Sequence, residues 1–222
     1  MTRIRFHQNL DDLKEKLLVM AGMAEQAIQR SIEAYTVRDV SICDLVKQSE
    51  PAINRLEREI DQMALDLLAM EQPMAIDLRF ILAVIKINAD VERVGDQAVN
   101  ISERVRDLQS MPPVDLPVDI PRMATMAASM VRRALQCFID ADAEMARTVL
   151  SMDDQVDQMN SGIHRTLGKL IVDQPSVAAQ ALDVLFIARN LERIGDHATN
   201  IAEDVIFWVS GADVRHHVRT GS

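Results

Sequence analysis

Two fourteen-residue stretches set the frame for everything else in this chain. Asp90–Glu103, DVERVGDQAVNISE, returns one hundred positions later as Asn190–Glu203, NLERIGDHATNIAE, with eight of the fourteen positions identical. A match that dense inside one sequence marks a duplicated unit. The duplication extends beyond the motif. Arg30 aligns with Arg133, Asp39 with Asp142 and Glu50 with Asp153 at an offset of 103, and Gln72-Pro73 aligns with Gln174-Pro175 at 102. Small deletions in the turns account for the drift. Between the copies lies Ser110–Pro121, SMPPVDLPVDIP, whose four prolines make a stiff, extended connector.

Each copy reads as three helices. Leu10, Leu13, Leu17, Met20, Ala24, Ala27, Ile28 and Ala34 recur at three- and four-residue steps, so a first helix is expected from Gln8 to Arg38. Asp39 is a candidate N-cap for a second, Val40 to Met70, with Pro51 expected to kink it or restart it. A third is expected from Met74 to Gln109. Its first half, Leu78–Ile87, is apolar nearly all round and reads as the buried centre. The second half repeats the plan, with helices from Arg122 to Ala141, from the Asp142 cap to Gln174-Pro175, and from Ser176 to Val209. The fold class is all-α: two tandem, pseudo-symmetric three-helix bundles. Their boundaries fall at residues 1–110, 111–121 for the linker, 122–210, and a frayed tail at 211–222 containing His216 and His217. The low glycine, proline and aromatic content and the thirteen methionines suit such a bundle, methionine filling irregular gaps between helices.

On a helix, Glu92, Asp96, Asn100 and Glu103 share one face, and Val91, Val94, Ala98, Ile101 and Val105 face the other way. Glu192, Asp196, Asn200 and Glu203 repeat the row, opposite Leu191, Ile194, Ala198, Ile201 and Val205. Carboxylates at i and i+4 can reach one cation, and oxygen ligands favour hard ions such as Mg²⁺, Mn²⁺ or Fe³⁺. One helix supplies too few ligands, so a neighbour must add more. In the second repeat Asp153 and Asp157 have the same spacing. The matching pair in the first is Glu50 and Asn54, one charge short, with Glu57 and Asp61 available on the same helix. The second repeat is therefore expected to hold metal more tightly. The competing reading is a pair of solvated faces, with Glu92–Arg93 and Glu192–Arg193 as surface ion pairs worth well under about 1 kcal/mol. Gly95 and Gly195 sit inside the motif, where glycine costs roughly 1 kcal/mol relative to alanine. Their repetition points to a close approach to the backbone.

The remaining composition bounds the function. A net charge of −10, with no basic stripe, argues against nucleic acid. Cys43 and Cys137 have no metal or redox spacing, the N-terminus lacks the apolar core of a signal peptide, and no run suits a membrane span. A cytoplasmic protein is expected, reaching a membrane only through partners. No G-x-S-x-G, glycine-rich phosphate loop or Glu-x-x-His occurs, which weighs against an enzyme and against a ferritin-like carboxylate metalloenzyme.

The motifs ERVGD (Glu92–Asp96) and ERIGD (Glu192–Asp196), each followed by A-x-N-I, and the segment PMAIDLR (Pro73–Arg79) make the sequence resemble the PhoU family of phosphate-uptake accessory proteins over essentially its whole length. The resemblance implies two side-by-side three-helix bundles and metal sites built from E/D-x-x-x-D motifs, binding iron or zinc, with magnesium or manganese also proposed. By position these sites would use Glu92 and Asp96 with Glu50, and Glu192 and Asp196 with Asp153 and Asp157, with Asn100 and Asn200 as further ligands. It also implies a regulatory, non-catalytic role: a self-associating negative regulator of the phosphate regulon. Its partners would be the ATPase subunit of the phosphate ABC transporter and the regulon's sensor histidine kinase.

Overall fold

A computed structural model describes residues 3–70 and 73–214. It contains six long helices: α1 (Arg3–Val37), α2 (Val40–Met70), α3 (Ala75–Ser110), α4 (Ile120–Asp140), α5 (Ala143–Asp173) and α6 (Ala178–Ser210), with a 3₁₀ turn at Pro175–Val177 leading into α6. No strand occurs among the described residues. Gln72, His216 and His217 lie outside them.

The two copies start their second helix by the same device. Arg38 and Ala141 adopt left-handed backbones, with φ of 57° and 52°. The next residue, Asp39 or Asp142, then turns its carboxylate onto the free backbone N–H groups of the new helix. Asp39 Oδ1 accepts from Ser41 N at 2.8 Å, and Asp142 Oδ1 from Glu144 N and Met145 N, both at 2.9 Å. Both expected caps are present. Pro51 neither restarts nor ends α2, which runs on through it. α1 begins earlier than its apolar spacing suggests, at Arg3.

The eight spaced apolar residues of α1 are all buried, and so are the apolar faces of both motifs. α3 packs on α1 and α2, and α6 on α4 and α5, giving two three-helix units. The largest contact in the molecule joins the units through α3 and α6. These two helices run antiparallel. Arg79 Nε meets Trp208 O at 3.1 Å, Lys86 Nζ meets Asp204 at 3.0 Å, Asp90 meets His197 at 2.8 Å, and Arg104 meets Asp183 at 3.5 Å. The pairing reverses about Val94 and Ile194, so the pseudo-two-fold axis passes beside the motifs themselves. Lys14 and Arg132 tie α1 to α4 along the same seam, Lys14 through Ile139 O at 2.9 Å and Arg132 through Glu25.

The first half of α3 departs from its expected burial. Phe80, Ile81, Ala83, Val84 and Ile87 are inside, but Leu78 and Leu82 are 39% and 38% exposed. α3 has neighbours on three sides only, and the line through Leu78 and Leu82 lies on the fourth. Leu182 and Phe186 of α6 are exposed in the same way.

Candidate carboxylate site

The backbone of α3 comes close to α2 at Gly95. A Cβ there would stand 3.0 Å from Ile53 Cδ1 of α2. At Gly195 the neighbours are looser: Val156 at 3.5 Å, Met130 Sδ at 3.6 Å and Asp153 Oδ1 at 3.7 Å. Gly95 therefore lets α2 lie tight against the motif, while at Gly195 α5 brings the Asp153 carboxylate alongside at ordinary contact distance. The contacts differ enough to predict different outcomes for one substitution. Gly195→Ala meets only ordinary van der Waals distances and should gain about 1 kcal/mol of helix propensity, a rise of about 2–4 °C in melting temperature for a chain of this length. Gly95→Ala must push Ile53 aside and should gain less or nothing. Thermal melts of the two single variants check this; an equal rise in both would sink the packing argument.

In the second repeat, Asp157 of α5 lies within electrostatic reach of Glu192 and Asp196 of α6, and Asp153 lies against Gly195. Asp153, Asp157 and Glu192 are half-buried, while Asp196 stands exposed at the rim. Glu192 Oε1 takes an ion pair from Arg189 Nη1 at 2.7 Å, whereas its buried Oε2 has no hydrogen-bond partner. Burial first, then the charges of Asp196 and Asp157, raise the Glu192 pKa; Arg189 and Arg193 oppose the shift. Asp196 is also raised, by desolvation and then by Asp157.

In the first repeat, burial raises the pKa of Glu92, followed by the charges of Asp96 and Glu57. Glu57 is raised by burial, then by Asp61, with Asp96 contributing. So α2 supplies its negative charge through Glu57, seven residues beyond Glu50. Asn54, the counterpart of Asp157, leaves its buried Oδ1 without a partner beside this cluster. Glu50 is half-buried on α2. Asn88, fully buried on α3, donates to Glu57 O and to Asp61 Oδ1, both at 2.9 Å, and so orients that stretch of α2.

The remaining members of the rows sit farther out. Asn100 and Glu103 are exposed. Asn200 turns across the seam to donate to Asp90 Oδ1 at 3.1 Å, next to the 2.8 Å contact of His197 Nδ1 with the same oxygen. Sequence reasoning missed this Asp90–His197–Asn200 cluster, in which Asp90 lies more than one hundred residues from the other two. It also missed Arg189, which an i, i+3 reading of Arg189–Glu192 could have found. As the side chains stand, no three carboxylate, imidazole or thiolate groups among the described residues form a ready cation cage. The donor set nonetheless fits a hard cation. It is all oxygen, its charges repel one another, and Glu192 Oε2 and Asn54 Oδ1 are buried acceptors with nothing donating to them. The cysteines take no part: both are buried, and burial pushes the Cys137 thiol up to about 11.

Fold and site together define a class: a duplicated helical protein whose two motif helices pack antiparallel and carry one carboxylate cluster in each half. The chain belongs to the PhoU family, the PhoU domain matching residues 17–105 and again 120–205. A phosphate-specific transport system accessory protein PhoU homolog from Pseudomonas aeruginosa is 34% identical over 215 residues, spanning 96% of this chain and 88% of that protein. The homolog from Clostridium acetobutylicum is 33% identical over 215 residues, spanning 96% and 98%. The crystal structure of PhoU from P. aeruginosa superposes with a TM-score of 0.90 at 33% identity, covering 93% of this chain and all of that one. The phosphate transport system regulatory protein PhoU from Streptococcus pneumoniae gives 0.87 at 25% identity, covering 94% and 99%.

Proposed function

We propose that this chain is an accessory regulator of phosphate-specific transport. It acts without catalysis, in the cytoplasm, as a homodimer. It links the ATPase subunit of the phosphate ABC transporter to the sensor histidine kinase of the phosphate regulon and keeps the regulon silent when phosphate is abundant. The observation that carries this reading is the reach of the likeness. Proteins named as accessory or regulatory components of phosphate transport match nearly the whole chain, both motif helices included. No helix among the described residues is long and apolar enough to cross a membrane, which suits recruitment through partners.

The carboxylate clusters are the regulatory element in this reading. Glu92, Asp96 and Glu57, with Glu50 and Asn100 nearby, would hold one ion. Asp153, Asp157, Glu192 and Asp196, with Asn200 at the edge, would hold the other. A bound cation of iron, manganese, magnesium or zinc supplies positive charge that ties α2 to α3 and α5 to α6. The second repeat, with two carboxylates on α5, is the tighter of the two.

The test is complementation. In a bacterial host lacking its own PhoU, expression of this chain should restore repression of a phosphate-regulon reporter in phosphate-rich medium. Purified chain should also be retained by the immobilised ATPase subunit and by the kinase's cytoplasmic part. A folded, abundant chain that leaves the reporter on and binds neither partner would overturn the reading.

A further inference from the structure

The duplication supplies an internal reference for a second site, away from the carboxylates. Where α3 begins and α4 and α6 end, three rings fill the space between helices. Phe80 and Phe138 stack with centroids 5.9 Å apart, and Trp208 lies 5.1 Å from Phe80 and 5.4 Å from Phe138. In the register of the repeats, 103 residues between α1 and α4 and 100 between α3 and α6, their counterparts at the opposite end are Gln180, Tyr35 and Leu108. Two of the three rings are missing there, and a cavity of about 340 Å³ opens in their neighbourhood.

The linker forms one wall of this cavity. Val114, Leu116 and Val118 turn inward while Pro113, Asp115, Pro117 and Asp119 stay exposed, the alternation of an extended chain. Val105, Leu108 and Val184 form an apolar floor. Polar groups line the rest: Tyr35, Thr36, Arg38, Gln109, Asp115 and Gln180. Tyr35 is half-buried, and desolvation raises its pKa, so the phenol stays a neutral donor. Gln180 is only 8% exposed; its Oε1 has no partner, and its Nε2 reaches Pro112 O at a long 3.4 Å. Arg38 is exposed at the rim, where the other repeat has Ala141, and forms no ion pair among the described residues. A concave space that joins an apolar floor to convergent polar groups suits a small amphipathic molecule. Asp115 at the rim disfavours a ligand of high negative charge.

We propose that this cavity binds a small amphipathic anion of low charge, its acidic head on Arg38 and its apolar body against Leu108, Leu116 and Val184. The linker between the repeats closes over it, so occupancy stiffens the connection between the two bundles. The site is independent of the carboxylate clusters and of the phosphate-transport reading.

The probe is 1-anilinonaphthalene-8-sulfonate, an amphipathic monoanion whose fluorescence rises on binding, titrated into the intact protein. Saturable one-to-one binding is expected. Hexanoate or hexyl phosphate should displace the dye at least about tenfold better than hexanol, the acidic head being worth one charge-assisted contact. The better of the two anions identifies the head group as carboxylate or phosphate. Arg38→Ala, which puts at the rim the residue the second repeat already carries at this backbone conformation, should weaken dye binding by about tenfold or more. Leu108→Trp with Gln180→Phe, which imports the rings of the opposite end, should abolish binding. Absence of binding, displacement by hexanol as good as by the anions, or binding unmoved by Arg38→Ala would each overturn the proposal. Arg38 is exposed, so that variant gives an answer even if the ring-filled one fails to fold.

Discussion

The Glu192→Gln/Asp196→Asn double variant is expected to lose the metal of the second repeat and to keep that of the first. In metal-free buffer it should be at least as stable as the parent. The reason is the energy of the empty site. Asp153, Asp157, Glu192 and Asp196 converge from two helices, and burial together with mutual repulsion already raises the pKa of Glu192 and Asp196. The two substitutions remove part of that repulsion and retain the shape. In the parent, the proposed cation would perform the same neutralisation. At free metal one hundredfold above its dissociation constant it adds about 2.7 kcal/mol, or roughly 5–10 °C in melting temperature for a chain of this size.

A pH dependence follows from the same charges. A carboxylate whose folded-state pKa lies above its unfolded value binds its proton more readily in the folded protein. The metal-free parent therefore gains stability as pH falls through the raised values. The gain is complete below the ordinary values of 4.5 for glutamate and 3.8 for aspartate. Metal affinity falls over the same window, because protons compete for the ligands. Metal content per chain by mass spectrometry, with melts at about pH 7.5 and 5 with and without chelator, checks both parts. Equal metal content in parent and variant, or a stability gap that stays open on acidification, would remove the second-repeat site from consideration.

Phe138→Ala is expected to be the most damaging single change, at about 3–5 kcal/mol, which is roughly 6–20 °C of melting temperature. Phe138 is fully buried and packs against both Phe80 and Trp208, with the Lys14 ammonium 5.6 Å from its ring centroid. Its removal leaves a ring-sized hole among rigid neighbours that cannot collapse into it. The counterpart Tyr35→Ala should cost less than half as much, since Tyr35 is half-buried and already borders a cavity. Trp208, the only tryptophan, reports the loss of packing directly by its fluorescence. Similar losses for the two variants would show that the two ends are packed alike.

Much of this was legible in the residues. The apolar spacing in α1, the aspartates at 39 and 142 and the repeated motif placed the helices and predicted the fold class, because helical periodicity and capping depend on residues three or four apart. The same locality put Glu92 with Asp96 and Glu192 with Asp196. Reasoning faltered where a decision needed a neighbour from elsewhere in the chain. Leu78 and Leu82 read as core because they are leucines in an apolar run. They face solvent because α3 has no neighbour on that side. Asn200 is in line with the acidic row, and only the antiparallel crossing at Val94 and Ile194 shows that its amide also reaches Asp90. On the first repeat's second helix the alignment offered Glu50 and the spacing Glu57, and packing brings the charge of Glu57 to Glu92 and Asp96.

The sequence alone determined that there are two copies of a three-helix unit, which aspartates open the second helix of each, and which face of the motif is acidic. These are properties of neighbours along the chain, set by a 3.6-residue turn. Only the tertiary structure decided which carboxylates share a site, which charges bridge the two units, and that one end is filled by rings where the other is open. Those outcomes depend on how close two helices come and at what register they cross, and side chains a hundred residues apart settle both together.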